Sequence, residues 1–497
     1  MRTQRADDLA AVARFLGMDA TADRVRRLEW ALPFLTGSAE VIAGVAGADD
    51  APAPQLRKLP FSSPLPVEVP DVAQPHELGA LEAAQAIREG KLSPQELLES
   101  CLARIAATDE VIGAFVRRSD EAARAQAGVA EAAWPAGPLH GIPFAVKDLI
   151  DTNGLATEWG SPVFAGRTAP WDAVVVARLR AAGGILVGKT ATHEIAYGVS
   201  TPHTRNPWNP DRMASGSSGG SAAALAARQV PAALGTDTGG SLRLPSAFCG
   251  TTAIRPTHGL VPREGVMTLA PTFDAVGPMA RTARDCWMLL QVLLGGTAAL
   301  RSLSPEHVRI GVVEHPHTTN VVETFKDLGA RVEPVELPSL EVTAAAATVL
   351  VFAEAAAEFR DQGPFADDIQ AFLDIGRVVP ITDFLHAQRV RAAIKREYAA
   401  LFERVDVLLT PTSPVTDLPH GISEVDGVPL VPVLTPFTFP ASLAGLPAVA
   451  FPCGFSESGM PVGAQLMGPP RSEHALASLA DTYQRVTEWH TRIPPSF

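Results

Sequence analysis

Two short runs rich in glycine and serine, Gly216-Ser217-Ser218-Gly219-Gly220-Ser221 and Thr238-Gly239-Gly240-Ser241, stand close together, separated by the Ala-rich residues 222–227 and the apolar run 230–234. Glycine lets the backbone take positive φ and approach a ligand closely, so successive N–H groups can converge on one anionic point. A serine that ends such a run, Ser241, is placed to attack a carbonyl while the N–H groups before it hold the oxyanion. A serine hydroxyl is a weak nucleophile until a base takes its proton. Neither run contains histidine, so the base must come from elsewhere in the chain.

Three other readings of these runs fail on their own terms. A flexible Gly/Ser linker would not be interrupted by apolar segments. A phosphate loop needs a lysine after its glycines, and none follows here. Residues 216–220 satisfy G-x-S-x-G, which would make Ser218 the nucleophile of a strand-turn-helix elbow. That elbow requires a strand immediately before it, and Asn206-Pro207-Trp208-Asn209-Pro210-Asp211-Arg212 cannot be a central strand.

The stretches GSSGGSAAALAA and GTDTGGSLRLPSAFCG closely resemble the signature of the amidase signature family of serine hydrolases. Upstream, GIPFAVKDLIDTNG (residues 141–154) resembles that family's lysine motif at a fitting spacing. The likeness runs from about Leu78 to the C-terminus and takes in LFERVDVLLTPTSP and LAGLPAVAFPCG. Carried over residue by residue, it implies Ser241 as nucleophile, Ser217 as a bridging serine on a cis peptide bond, and Lys147 as base. It assigns the oxyanion hole to the backbone N–H groups of Thr238, Gly239, Gly240 and Ser241. Asp237 and Arg243 match positions that brace the nucleophile loop; Asp148 beside the base and Ser218 beside the bridging serine are expected to do similar work. Ser215 and Ala253 depart from common glycines of the pattern and remove no reactive group.

Lys147 serves as a base only when neutral. Its flank, Ile142, Phe144, Ala145 and Val146, is apolar enough to desolvate the amine and lower its pKa from the ordinary value of about 10.4. Ser217 would then relay the proton between Lys147 and Ser241 and deliver it to the leaving amine. The resemblance therefore implies hydrolysis of a carboxylic amide to an acid plus ammonia or an amine, with a small-molecule amide as partner. Its alternative is the glutamine-hydrolysing component of an amidotransferase built from several subunits. Those components grip glutamine's charged backbone groups with one basic and one acidic residue, at positions that align with Phe372 and Thr435. Uncharged residues there would leave the ammonium and carboxylate unpaired, which favours a neutral or hydrophobic amide.

The elements that must hold these residues have the rhythm of an α/β fold: a mixed sheet sandwiched by helices, which is also the fold of the family, with a small all-α module at the N-terminus. In residues 1–50, Leu9, Val12, Ala13 and Leu16 fall on one helical face that stops at Gly17, and Val25, Leu28 and Leu32 repeat the pattern before Pro33. These stripes are too short to form a core alone. They either pack on the same chain's large domain or form a homodimer interface, as a similar N-terminal module in some bacterial amidases of the family suggests. Seven prolines between 51 and 76 point to an extended linker, so the catalytic domain is expected over 77–497. Beyond it, Leu81, Ala84 and Ile87 mark a helix, and Ser93-Pro94-Gln95-Glu96 a capped helix start. A helix pattern followed by Ile185-Leu186-Val187, and the strands around 310–313 and 330–332 with a helix between, give the α-then-β alternation.

Composition sets the outer limits. A chain of 497 residues, 46% hydrophobic, supports a large core. A net charge of −13 argues against a general nucleic-acid surface. No run of about 18 to 20 uninterrupted apolar residues offers a membrane span, and the charged N-terminus does not read as an export signal, so a cytoplasmic location is expected. Cys101, Cys249, Cys286 and Cys453 are too few and scattered for a disulfide framework and read as buried free thiols. No metal or cofactor is expected: His315-Pro316-His317 lacks a third ligand nearby and reads as a surface loop, and the Thr-Gly-Gly run lacks the context of a dinucleotide site.

Overall fold

The computed structural model describes residues 2–15, 17–133 and 137–495. Its centre is an eleven-stranded mixed sheet. From edge to edge the strands are Arg331–Pro334, Arg309–Val312, Val407–Pro411, Pro461–Met467, Ala448–Phe455, Thr252–Arg255, Ala275–Ala280, Ala232–Asp237, Pro143–Lys147, Ile185–Thr190 and Phe115–Arg118. Arg309–Val312 is parallel to both its neighbours, and so is Pro143–Lys147. The strands between them pair antiparallel. Alternate residues of one strand feed opposite cores: Phe144 and Val146 go to one, Ala145 to the other. With helices over both faces, the central strands bury almost every residue, which is why they read as continuous apolar runs and not as alternation.

Local signals fix several helix ends. Ser93 accepts the N–H of Glu96 while the Glu96 carboxylate accepts the N–H of Ser93, so helix Pro94–Ile112 starts with a reciprocal cap. Gly17, at φ 70°, ends the first helix, Arg2–Phe15, and the N–H of Met18 reaches back to the Ala13 carbonyl at 2.9 Å. Ala13 is buried there, but Val12 is 42% exposed, and Leu16 lies outside the described residues.

The second helix departs from expectation. It does not stop at Pro33 but runs from Ala22 to Ala43. Proline costs one main-chain bond in a helix. The buried face Leu28, Ala31, Leu35 and Ile42 continues on both sides of it and holds the helix together. That face packs on helices Leu340–Glu358, Asp367–Gly376 and Ile381–Arg404 of the same chain. Arg24 pairs with Asp374 at 3.0 Å, and His386 bonds the Ile42 carbonyl at 2.8 Å. Leu340–Glu358 is long and apolar enough to cross a membrane by length and composition, but here its apolar side is taken up by these helix contacts. Since Leu28 is 1% exposed, Leu28→Ala is expected to destabilise the protein by about 2–5 kcal/mol, read as a lower melting temperature. An unchanged melting temperature would mean that the N-terminal helices are not part of the folded core.

The proline-rich stretch is anchored to the rest of the chain. Phe61–Pro64 pairs antiparallel with Arg301–Leu303, Phe61 stacks on His474 with centroids 4.3 Å apart, and Arg57 grips Asp406 at 2.7 and 2.9 Å. The anchors are the residues between the prolines, which proline spacing does not reveal. The His315–His317 segment leads into a short turn with Pro316 exposed and both histidines half-buried, and His317 bonds the Ser413 carbonyl at 3.2 Å. All four cysteines are free and buried.

Candidate active site

Lys147 ends strand Pro143–Lys147 and Asp237 ends its parallel neighbour Ala232–Asp237, so both chain ends open on the same edge of the sheet, where open α/β sheets bind ligands. Each serine-bearing run enters a short helix there: Ser217 precedes Gly219–Ala226 and Ser241 precedes Arg243–Cys249. The Gly216–Ser217 peptide bond is cis.

The fold brings Lys147 and Ser217 together across 70 residues of sequence. The amine donates to Ser217 Oγ at 2.8 Å and to Thr236 Oγ1 at 2.9 Å. Lys147 is fully buried, and loss of hydration lowers its pKa to about 7, with the charges of Asp237 and Asp274 opposing. A large fraction of the amine is therefore neutral near pH 7, and in that form the Ser217 contact can reverse, the hydroxyl donating to the amine's lone pair.

The three serines differ in what they reach. Ser217 and Ser218 have no exposed surface, and only Ser241 of the three lines a cavity of about 460 Å³. The Ser218 hydroxyl is committed to the backbone of Thr236, donating to its carbonyl at 3.2 Å and accepting its N–H at 3.3 Å. Its own N–H donates to the Ser241 carbonyl at 3.2 Å and ties the two serine-bearing runs together. Ser218 thus braces and does not reach the open space, which disposes of the elbow reading.

Residues 238–241 form a tight backbone loop. Gly240 has φ 136°, and a Cβ on it would lie 2.5 Å from Thr438 Oγ1, so no other residue fits. Thr438 Oγ1 donates to the Gly239 carbonyl at 2.6 Å, and Thr238 Oγ1 to Asp274 Oδ1 at 2.6 Å. With carbonyl and side chain so tied, the loop is fixed beside the cavity that Thr238, Gly239 and Ser241 line. Among the described residues no protein acceptor takes the N–H of Gly239, Gly240 or Ser241. Such a set of free donors beside a hydroxyl suits an anion that forms as the hydroxyl attacks.

Next to the loop lies a buried ionic knot. Asp237 accepts two bonds from Arg243 at 2.9 Å and one from Arg255 at 2.8 Å, all three side chains being fully buried. Burial pushes the Asp237 carboxyl up, but the two guanidinium groups outweigh it and hold it well below the usual range. Arg243 also reaches the Thr438 carbonyl at 2.9 Å, Gln465 Oε1 at 3.0 Å and Ser442 Oγ at 3.0 Å, so one side chain fastens the nucleophile's helix to the segment that carries Thr438. Asp148 is turned away from the amine next to it. It pairs with Arg117 at 3.4 Å and accepts the N–H groups of Glu158 and Gly160, and burial raises it to about 6 with Lys189 and Arg117 opposing.

Sequence patterns give no sign of Asp274 and Arg255, which sit in ordinary local contexts and act through a neighbouring strand or loop; Thr236 stands within the GTDTGGS run, but its bond to Lys147 is not visible there. The cavity also draws on the second helix, through Phe34, Gly37, Ser38 and Val41. The only signal for that was the helical spacing of these four, which continues past Pro33.

The chain is similar to proteins already known. The family model described as Amidase matches residues 96–477. Proteins named as the A subunit of glutamyl-tRNA(Gln) amidotransferase, from Roseiflexus sp. (strain RS-1) and from Chloroflexus aurantiacus, are 37% and 39% identical to this chain, each match covering 84% of this chain and 98% of the relative. A solved amidase superposes with a TM-score of 0.77 at 32% identity, covering 82% of this chain and 99% of its own. The match over residues 96–477 and these relatives show that the chain is an enzyme of the amidase signature family, acting on amide C–N bonds.

Proposed function

We propose that this enzyme hydrolyses neutral, apolar carboxylic amides to an acid plus ammonia or an amine. Ser241 Oγ attacks the amide carbonyl and its proton passes through Ser217 to Lys147. The N–H groups of Thr238, Gly239, Gly240 and Ser241 hold the oxyanion of the tetrahedral adduct. Collapse of the adduct breaks the C–N bond, the proton returns through Ser217 to the leaving nitrogen, and the acyl group remains on Ser241. Water then enters by the same base route and releases the acid.

The character of the cavity carries this reading. Its walls are largely apolar, with Tyr197, Phe352 and Phe372 among them, and the only charged side chain lining it, among the described residues, is the exposed Glu341. Phe372 and Thr435, aligned with the positions that grip glutamine in the amidotransferases, both face this space. An α-ammonium and α-carboxylate there would go unpaired, at a cost of several kcal/mol.

The names of the curated relatives favour the second reading, a glutamine-hydrolysing component that works with partner proteins. By sequence similarity alone that reading stands ahead; the cavity lining is what favours the first. The two separate in one assay of the purified chain by itself. Ammonia release from hexanamide, benzamide or phenylacetamide is expected to exceed that from glutamine by roughly a hundredfold or more in kcat/KM. Preference for glutamine, or activity only once partner proteins have been added, would establish the second reading instead.

A further inference from the structure

We propose that the N-terminal helix Ala22–Ala43 sets the length of the apolar group the cavity accepts, through the face formed by Phe34, Gly37, Ser38 and Val41. This inference rests on the reading of the cavity as one for apolar amides. The four residues stand at i, i+3, i+4 and i+7 and so share one stripe of the helix, and all four line the cavity that Ser241 opens into. The adjacent stripe, Leu28, Ala31, Leu35 and Ile42, is buried against the helices beneath, so the wall is held in place and is not a loose flap. Phe34 is fixed further by edge contacts with Trp30 and Phe372, at centroid distances of 5.4 and 5.8 Å.

Gly37 is the informative position. Its backbone is helical and not left-handed, so nothing in the chain's conformation demands glycine there. Glycine is disfavoured in a helix interior relative to almost any other residue. A Cβ at Gly37 would meet no atom within 4 Å. The residue therefore leaves room in the middle of a wall otherwise made of Phe34 and Val41, and that room extends the cavity for a long or broad apolar group. A side chain at this position starts into open space, its Cβ displacing no protein atom, and its further atoms extend toward substrate space.

The test uses alkyl fluorophosphonates, which react with an activated serine whatever amide the enzyme prefers. Inactivation rates of the full-length protein by an ethyl and a dodecyl reagent are compared for wild type, Gly37→Leu and Phe34→Ala. Gly37→Leu is expected to slow the dodecyl reagent roughly tenfold more than the ethyl one, as the loss of a few methylenes' room implies. Phe34→Ala is expected to shift the ratio the other way. Because leucine is a better helix former than glycine, the Leu variant keeps its melting temperature, which is measured alongside. An equal slowing of both reagents, or a ratio unchanged from wild type, overturns the role of the helix. Failure of the wild type to hydrolyse apolar amides overturns the reading beneath it, and failure of either reagent to label the wild type overturns both.

Discussion

Ser241→Ala is expected to abolish covalent labelling by a fluorophosphonate and to lower kcat on any amide substrate by on the order of 10⁴ to 10⁶, the range seen when a serine hydrolase loses its nucleophile. Ser241 is 6% exposed and lines the cavity, so alanine removes one oxygen and leaves the ionic knot of Asp237, Arg243 and Arg255 intact. The folded state and melting temperature should therefore hold. Mass spectrometry of labelled wild type is expected to place the adduct on Ser241. Were it found on Ser218, or were Ser241→Ala labelled at the wild-type rate, the assignment of nucleophile would fall. Residual turnover above the uncatalysed rate is expected to survive, because the backbone donors of residues 238–241 do not depend on the hydroxyl.

The second large effect belongs to Lys147. With the amine lowered to about 7 by burial, its neutral form dominates above that pH and its charged form below. The acceptor of the proton is the neutral form, so kcat/KM is expected to fall by about tenfold per pH unit below pH 7 and to level off above it. Lys147→Ala should lose at least about a hundredfold in rate and lose that acid limb with it. Lys147→Arg should not restore activity, since a guanidinium stays charged and cannot take a proton from Ser217. The variants need a check on folding, because Lys147 is wholly buried and Thr236 and Ser217 would each lose a partner. Circular dichroism and melting temperature serve for that. Near-normal turnover by the arginine variant would make Lys147 a fixed positive charge and end the relay.

Much of this site was legible from sequence because its signals are local. The glycines that let residues 238–241 form a tight loop are contiguous, and Lys147 ends a strand whose burial is legible in its own apolar composition. The cap at Ser93 is equally local. Contacts made between strands were not legible. Thr236 and Asp274 reach Lys147 and Thr238 from positions 89 and 36 residues away, and only the order of the sheet brings them there. Arg255 lies on a strand that does not even adjoin the one bearing Asp237. The stop expected at Pro33 illustrates the converse. A local rule, that proline ends a helix, lost to packing on both sides of it, and with that the contribution of the second helix to the cavity went unseen.

The docking of that helix has a consequence in time. Arg24 and Asp374 are 350 residues apart in the chain. At synthesis rates of about 5–20 residues per second, the helix waits roughly 20 to 70 s on the ribosome before the partners that cover Leu28 and Leu35 have emerged. During that interval its apolar stripe lacks the helices Leu340–Glu358, Asp367–Gly376 and Ile381–Arg404 that cover it in the folded protein. Lys147, Ser217 and Ser241 are all made within the first half of the chain, whereas the cavity wall closes only after residue 439 has been added. The residues proposed to carry the chemistry are thus synthesised early, and the pocket that selects what they act on is completed late.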